Sequence, residues 1–209
     1  MQLRSDSFAD GAAIPGDFAF CVADPETRVR LGKNLNPHLA WSDAPAATRS
    51  FAVVCVDPDV PSVGDDVNQE ARSVPATLPR VDFHHWLLID LPATVSEIRA
   101  GQFSSEVVPR GKAGPTTASG ARQGINDYTG WFANDHDMSG DYYGYDGPCP
   151  PWNDELPHRY VFTVYALDVE QLQLSGALTG AAVRAALAGH VLAEASLTGR
   201  YTLNPALTL

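Results

Sequence analysis

Three compact apolar runs stand out along the chain. Ser50–Val56 is β-branched and apolar at successive positions, and Asp57-Pro58 closes it, which predicts a buried strand. His85–Leu91, stopped by Pro92, predicts a second, and Arg159–Leu167 a third. Weaker strands are expected at Asp17–Phe20 and Leu39–Trp41. Pro61–Pro79 is polar and acidic without an apolar period, so it reads as a surface loop. Val108–Pro157 is dense in Gly, Pro, Asn and Asp, and an irregular stretch of that length is usually functional or packed by its own side chains. Thr179–Ala188 has Ala/Leu helix chemistry with Gly189 as its stop. His190–Leu197 continues the helical spacing, with Val191, Leu192 and Ala195 on one face, and Thr198–Leu203 forms a last strand. Strands first and helices last imply an antiparallel β protein with a helical appendage.

Composition narrows the function classes. The chain has 209 residues, 44% of them hydrophobic, which fits one domain over 1–209 with a substantial core. A net charge of -11 argues against a nucleic-acid surface and against docking on anionic membranes. Met1–Phe8 lacks an apolar h-region, so no secretory leader is expected, and no stretch is apolar enough to span a bilayer. Cys21, Cys55 and Cys149 are odd in number, widely spaced and without a CxxC pair, which reads as free thiols in a cytoplasmic chain.

The candidate chemistry gathers at strand ends. Gly144–Pro151 is a Gly/Pro-rich loop that lets backbone approach a ligand along a rigid rim. His158 and Tyr160, two apart on a strand, point to one face. Asp57-Pro58-Asp59-Val60-Pro61 places two carboxylates on a rigid turn; Asp is common in turns for its own backbone bonding, and that plain reading is the commoner one. Of His84 and His85, neighbours on a strand, only one can share a pocket with Asp57. A carboxylate beside that ring favours imidazolium, which makes it an anion ligand.

Asn36–Trp41, Thr48–Phe51, Asp57–Pro61, His84–Trp86, Gly147–Pro151, His158–Tyr160 and Tyr165–Asp168 occur in the order found in phosphatidylethanolamine-binding proteins. The chain resembles the bacterial Raf-kinase-inhibitor-like branch of that family over roughly residues 15–203. The resemblance implies a mainly β fold, with a large antiparallel sheet packed on a smaller one in a sandwich and C-terminal helices beside the pocket. It also implies a pocket for small anions and phosphorylated headgroups, lined by Asp57, Asp59, His85, Gly147, Pro148, His158 and Tyr160. Trp86 then belongs to the core, and Arg159 faces away to pair with an acidic group. Val60–Pro61 is expected cis on this likeness.

The chain departs from the family pattern in three places. Val60 stands where Ala is usual, Ser62–Asp82 is longer and more polar, and Trp152–Pro157 replaces a short Gly-containing link. Trp152 is expected to pack on the loop, and Asp154 and Glu155 to place negative charge beside the pocket. The functional expectation is a soluble protein holding a small phosphorylated or anionic ligand, without cofactor, with a protein kinase or serine protease as partner and a homodimer as assembly. The competing reading is a hydrolase in which the same Asp/His cluster binds a metal and activates water. No HExxH, GxSxG or P-loop pattern supports that enzyme.

Overall fold

The computed structural model describes residues 1–209. β5 (Ser50–Pro61) lies at the centre of a five-stranded sheet, between β6 (Arg80–Pro92) and β9 (His158–Leu167). β8 (Arg122–Gln123) extends the sheet beyond β6, and β10 (Val191–Tyr201) extends it beyond β9. A smaller sheet joins β1 (Gln2–Arg4), β4 (Leu39–Ser42) and β7 (Glu97–Ile98), and β2 (Cys21–Asp24) forms a hairpin with β3 (Arg28–Leu31). All strand pairings are antiparallel, so the expected large sheet packed on a smaller one is present.

The uninterrupted apolar runs have a simple cause: β5 and β6 are buried on both faces. One face carries Phe51, Val53, Cys55, Trp86 and Leu88 into the main core, which also holds Leu39, Trp41 and Ile98 of the smaller sheet. The other carries Ala52, Val54, Leu87 and Ile89 against α2 (Gly180–Leu187). The Thr179 hydroxyl caps this helix by accepting from the Ala182 N–H.

The C-terminal reading needs correction. Helix ends at Leu187, and the stretch from Val191 is the long edge strand β10. Gly189 at φ 85° turns the chain out of the helix, and β9 then supplies backbone partners that outweigh the Ala/Leu propensity. Asp17 belongs to a 3-10 turn, Gly16–Phe18, rather than to a strand. β5 does not stop at Asp57 but runs on to Pro61. Beyond Val56 it has no β9 partner, so Pro58 and Pro61 leave no ladder bond unmade. Val60–Pro61 is trans; the cis bond is Gly114–Pro115.

The N-terminal segment covers half of the β10 edge. Gly11 N–H donates to the Thr198 carbonyl at 2.7 Å, and Ile14 N–H to the Arg200 carbonyl at 2.8 Å. Gly199 permits this approach, since a Cβ there would lie 2.3 Å from Ile14 Cγ1 and 2.9 Å from Phe8 Cε2. Gly199→Ala is therefore expected to destabilise the fold by about 1–3 kcal/mol through overpacking. Urea unfolding measures it, and an unchanged midpoint would overturn the assignment.

Candidate functional site

Two irregularities in the β5–β6 ladder shape the site. Cys55 pairs with Trp86 and Val56 with His84, so His85 is an extra residue in β6. That bulge turns His85 and Trp86 to the same side and leaves His84 on the opposite side, beside Gly180 and Arg184 of α2. A second bulge lies between Asp57 and Val60. The result is a cavity of about 240 Å³ onto which Asp57, His85, His158 and Tyr160 converge. Its walls are mainly apolar, with Phe20, Phe83, Tyr128, Phe132, Pro150 and Pro151 among them, and no Lys or Arg lines it.

The other three expected residues stand behind this surface. Asp59 does not line the cavity; it receives a two-pronged contact from Arg159, with Nη2 at 2.8 Å and Nε at 2.9 Å. Arg159 thus pairs with an acidic group on the face away from His158. Gly147 and Pro148 are also outside the lining and act through their backbones. Gly147 N–H donates to Asn34 Oδ1 at 2.8 Å, its carbonyl accepts from the Tyr128 hydroxyl at 2.8 Å, and the Pro148 carbonyl accepts from Cys21 N–H at 3.1 Å.

The two pocket histidines differ in charge state because their surroundings differ. His158 has both ring nitrogens engaged: Nδ1 by Asp57 at 2.7 Å and Nε2 by Asp154 at 3.1 Å. Burial disfavours its cation, but the hydrogen bonds and charges of Asp154 and Asp57 outweigh that and raise its pKa to about 9. Arg80 completes the line, with Nη1 at 2.6 Å from Asp154. His158 therefore holds the floor together and has no nitrogen left for a ligand, contrary to its expected role.

His85 is the opposite case. Burial pulls its pKa below the ordinary value more strongly than Asp57 pushes it up, so the expected imidazolium gives way to a neutral ring. Nδ1 lies 2.7 Å from the Asp146 carbonyl. A carbonyl only accepts, so Nδ1 carries the proton and Nε2 is left as an acceptor. The Tyr160 hydroxyl is buried near Asp57 and makes no hydrogen bond of good geometry.

The Gly/Pro-rich loop is held by Asp146, which is fully buried. Its carboxylate accepts from Asn34 and Asn126, each at 2.7 Å, and pairs with Lys112 at 3.0 Å. Burial raises the Asp146 pKa despite the nearby Lys112 ammonium. The expected free thiols are corrected here too: Cys21 and Cys149 form a disulfide across 128 residues, and only Cys55 is free. A separation that long leaves no local spacing signature, and the cytoplasmic expectation loses the support that free thiols gave it. No helix is long and apolar enough to cross a membrane.

The two long departures from the family pattern pack on each other. Asn153 Nδ2 donates to the carbonyls of Asp66, Gln69 and Arg72, and its Oδ1 accepts from Asn68 N–H. Glu155 accepts from Ser73 Oγ at 2.6 Å and Ala76 N–H at 3.0 Å. Glu155 thus faces the loop, and Asp154 is spent on His158 and Arg80. The Arg28 guanidinium lies 4.8 Å over the Trp152 ring, which packs against the main core and does not line the cavity. Gly64, Val67 and Asn68 of the longer loop also line the cavity.

The aromatic wall was not among the expected site residues. Tyr128, Trp131 and Phe132 recur at helical spacing, and α1 (Tyr128–Trp131) presents them to the cavity. That spacing was the available signal inside an otherwise irregular stretch.

A sheet protein with a small, mostly apolar ligand cavity at its strand ends is the class that this geometry defines. The sequence profile of the phosphatidylethanolamine-binding protein family matches residues 4–202, and the chain belongs to that family. It is 31% identical to the UPF0098 protein YbhB of Escherichia coli over 97% of this chain and 100% of that one. It is also 31% identical to a UPF0098 protein of Aquifex aeolicus over 96% and 88%. The crystal structure of Escherichia coli YbcL, described as a member of the mammalian PEBP family, superposes with a TM-score of 0.66 at 27% identity, covering 96% of this chain and 97% of that one. The PEBP homologue CT736 of Chlamydia trachomatis gives 0.63 at 28% identity, covering 96% and 95%. Family membership supports a ligand-binding protein of the PEBP type.

The charge states can be measured directly. His158 is expected to titrate near pH 9 by NMR, and His85 below its ordinary value of about 6.5. Because the folded pKa of His158 is raised, its contribution to stability is complete below about pH 6.5 and is lost as pH rises through about 9. His158→Ala leaves the buried Asp57 carboxylate without its cation, while Asp154 keeps Arg80, and is expected to cost about 3–5 kcal/mol at pH 7. Titration of both rings near 6.5 would overturn the assignment.

Proposed function

We propose that this chain binds a small zwitterionic headgroup, of the phosphoethanolamine or phosphocholine kind, in the cavity above Asp57, His85 and Tyr160. One observation carries the reading: the floor presents a buried donor without a well-formed hydrogen bond, the Tyr160 hydroxyl, beside an acceptor nitrogen of His85, within aromatic walls that lack any Lys or Arg. Tyr160 suits one anionic oxygen. The aromatic faces suit an ammonium, and cation–π contacts contribute about 0.5–2 kcal/mol. Without a cationic side chain, a bare dianion has no counter-charge in the lining. Regulation of a kinase or inhibition of a protease is a further expectation of the likeness that no feature of this cavity favours.

The metal-hydrolase reading finds less support. No three His, Cys, Asp or Glu side chains are grouped as metal donors, and Asp57 and Asp154 are committed to His158.

Calorimetry with phosphoethanolamine and with inorganic phosphate tests the proposal. The headgroup is expected to bind more tightly, and Tyr160→Phe to weaken it by roughly two- to tenfold, the worth of one hydrogen bond. Equal affinity for both ligands, or no effect of Tyr160→Phe, would sink the reading.

A phosphate oxygen that reaches His85 Nε2 needs a proton there. Affinity should therefore fall as pH rises above the free-protein pKa of His85, which burial holds below the ordinary histidine value. Comparison of wild type with His85→Gln isolates this effect, and parallel pH profiles would assign His85 a purely structural role.

A further inference from the structure

Three of the four residues from Pro148 to Pro151 are proline and have no N–H to offer. The fourth, Cys149, makes no backbone hydrogen bond, and neither does the Pro150 carbonyl. Backbone anchoring stops at the Pro148 carbonyl, which accepts from Cys21 N–H at 3.1 Å. It resumes at Pro151, whose carbonyl accepts from Asp154 N–H at 3.1 Å, and at Trp152, whose N–H donates to Asn68 Oδ1 at 3.0 Å. Yet Cys149, Pro150 and Pro151 all form cavity wall, and Cys21 lines the same cavity. Between the two anchors, the bond that ties this wall to the rest of the molecule is the disulfide to Cys21, at the start of β2. Cys21 is buried with 5% exposure and Cys149 is half-buried, so Cys149 is the more accessible partner.

Resting on the headgroup reading of the cavity, we propose that the Cys21–Cys149 disulfide is a redox clamp on the ligand site, opened by a dithiol. One thiolate of the dithiol attacks the Cys149 sulfur, a mixed disulfide forms, and Cys21 leaves as a thiolate that takes up a proton. The second thiol of the reductant then attacks the mixed disulfide. Cys149 is released as a thiol and the dithiol becomes a cyclic disulfide, so two electrons pass from reductant to protein. The proline-rich wall, which has no hydrogen bonds to replace the lost link, loosens. The floor, held by the Asp57–His158–Asp154 contacts, stays in place. The proposal thus predicts a local change, separable from the global loss of stability that accompanies removal of a structural staple.

The test compares the oxidised chain with the same chain in dithiothreitol, by amide exchange and by phosphoethanolamine calorimetry. On reduction, the amides of Cys21, Trp152 and Asp154 should exchange about tenfold faster or more, while Val53 and Leu88 in the central strands keep their protection. Phosphoethanolamine should bind about tenfold more weakly, with recovery on reoxidation. The Cys21→Ser/Cys149→Ser double variant should behave as the reduced chain and ignore dithiothreitol. Unchanged exchange at all three reporters would overturn the clamp, and so would equal loss of protection in the central strands, which would make the disulfide a general staple. Local loosening in a protein whose two forms both fail to bind phosphoethanolamine would uphold the clamp and sink the headgroup reading alone.

Discussion

A buried imidazolium between two carboxylates is the contact on which the site depends. Asp57, His158, Asp154 and Arg80 form a continuous line of charge with almost no water access. Each member is tolerable inside the protein only because its neighbours are present. The line joins the end of β5, the start of β9 and the Trp152–Pro157 segment. Arg80 adds the loop before β6 by donating to the carbonyls of Pro75 and Asp59. Four segments distant in sequence are thereby fixed around one floor.

The same line sets the chemistry above it. The charge of Asp57 is largely answered by His158, so the floor offers polarity without strong net charge. His85 is neutral for lack of a comparable partner, since its one hydrogen bond goes to a backbone carbonyl that fixes the tautomer. Two histidines on one cavity are thus held in opposite protonation states by what each ring touches, and a ligand meets an acceptor, a hydroxyl and a ring of aromatic faces.

Much of this was legible in the residues. The three apolar runs marked β5, β6 and β9, because burial on both faces leaves continuous hydrophobicity. Strand alternation placed His158 with Tyr160 and separated His85 from His84. What failed was what depends on partners remote in sequence. Asp59 looked like a pocket residue until Arg159 claimed it. His158 looked like a ligand donor until Asp154, at the end of the long irregular stretch, took its second nitrogen. Val191–Leu197 carried a helical pattern that lost to pairing with β9, and the Cys21–Cys149 bond gave no local signal. The bulge that turns His85 inward is equally invisible, since one added residue in a ladder changes no composition.

The strand order has a consequence for synthesis. β5 is flanked on one side by β6, which follows it closely, and on the other by β9, which begins about a hundred residues later, as the Asp57–His158 separation of 101 shows. At about 5–20 residues per second, the apolar edge of β5 waits roughly 5–20 seconds on the ribosome before its second neighbour exists. During that interval Phe51–Val56 presents unpaired backbone along a hydrophobic strand, the kind of edge that recruits other chains. A nascent chain halted before His158 lacks both the strand that covers this edge and the imidazolium that completes the floor. Ligand competence and protection from aggregation therefore arrive together, with the synthesis of β9.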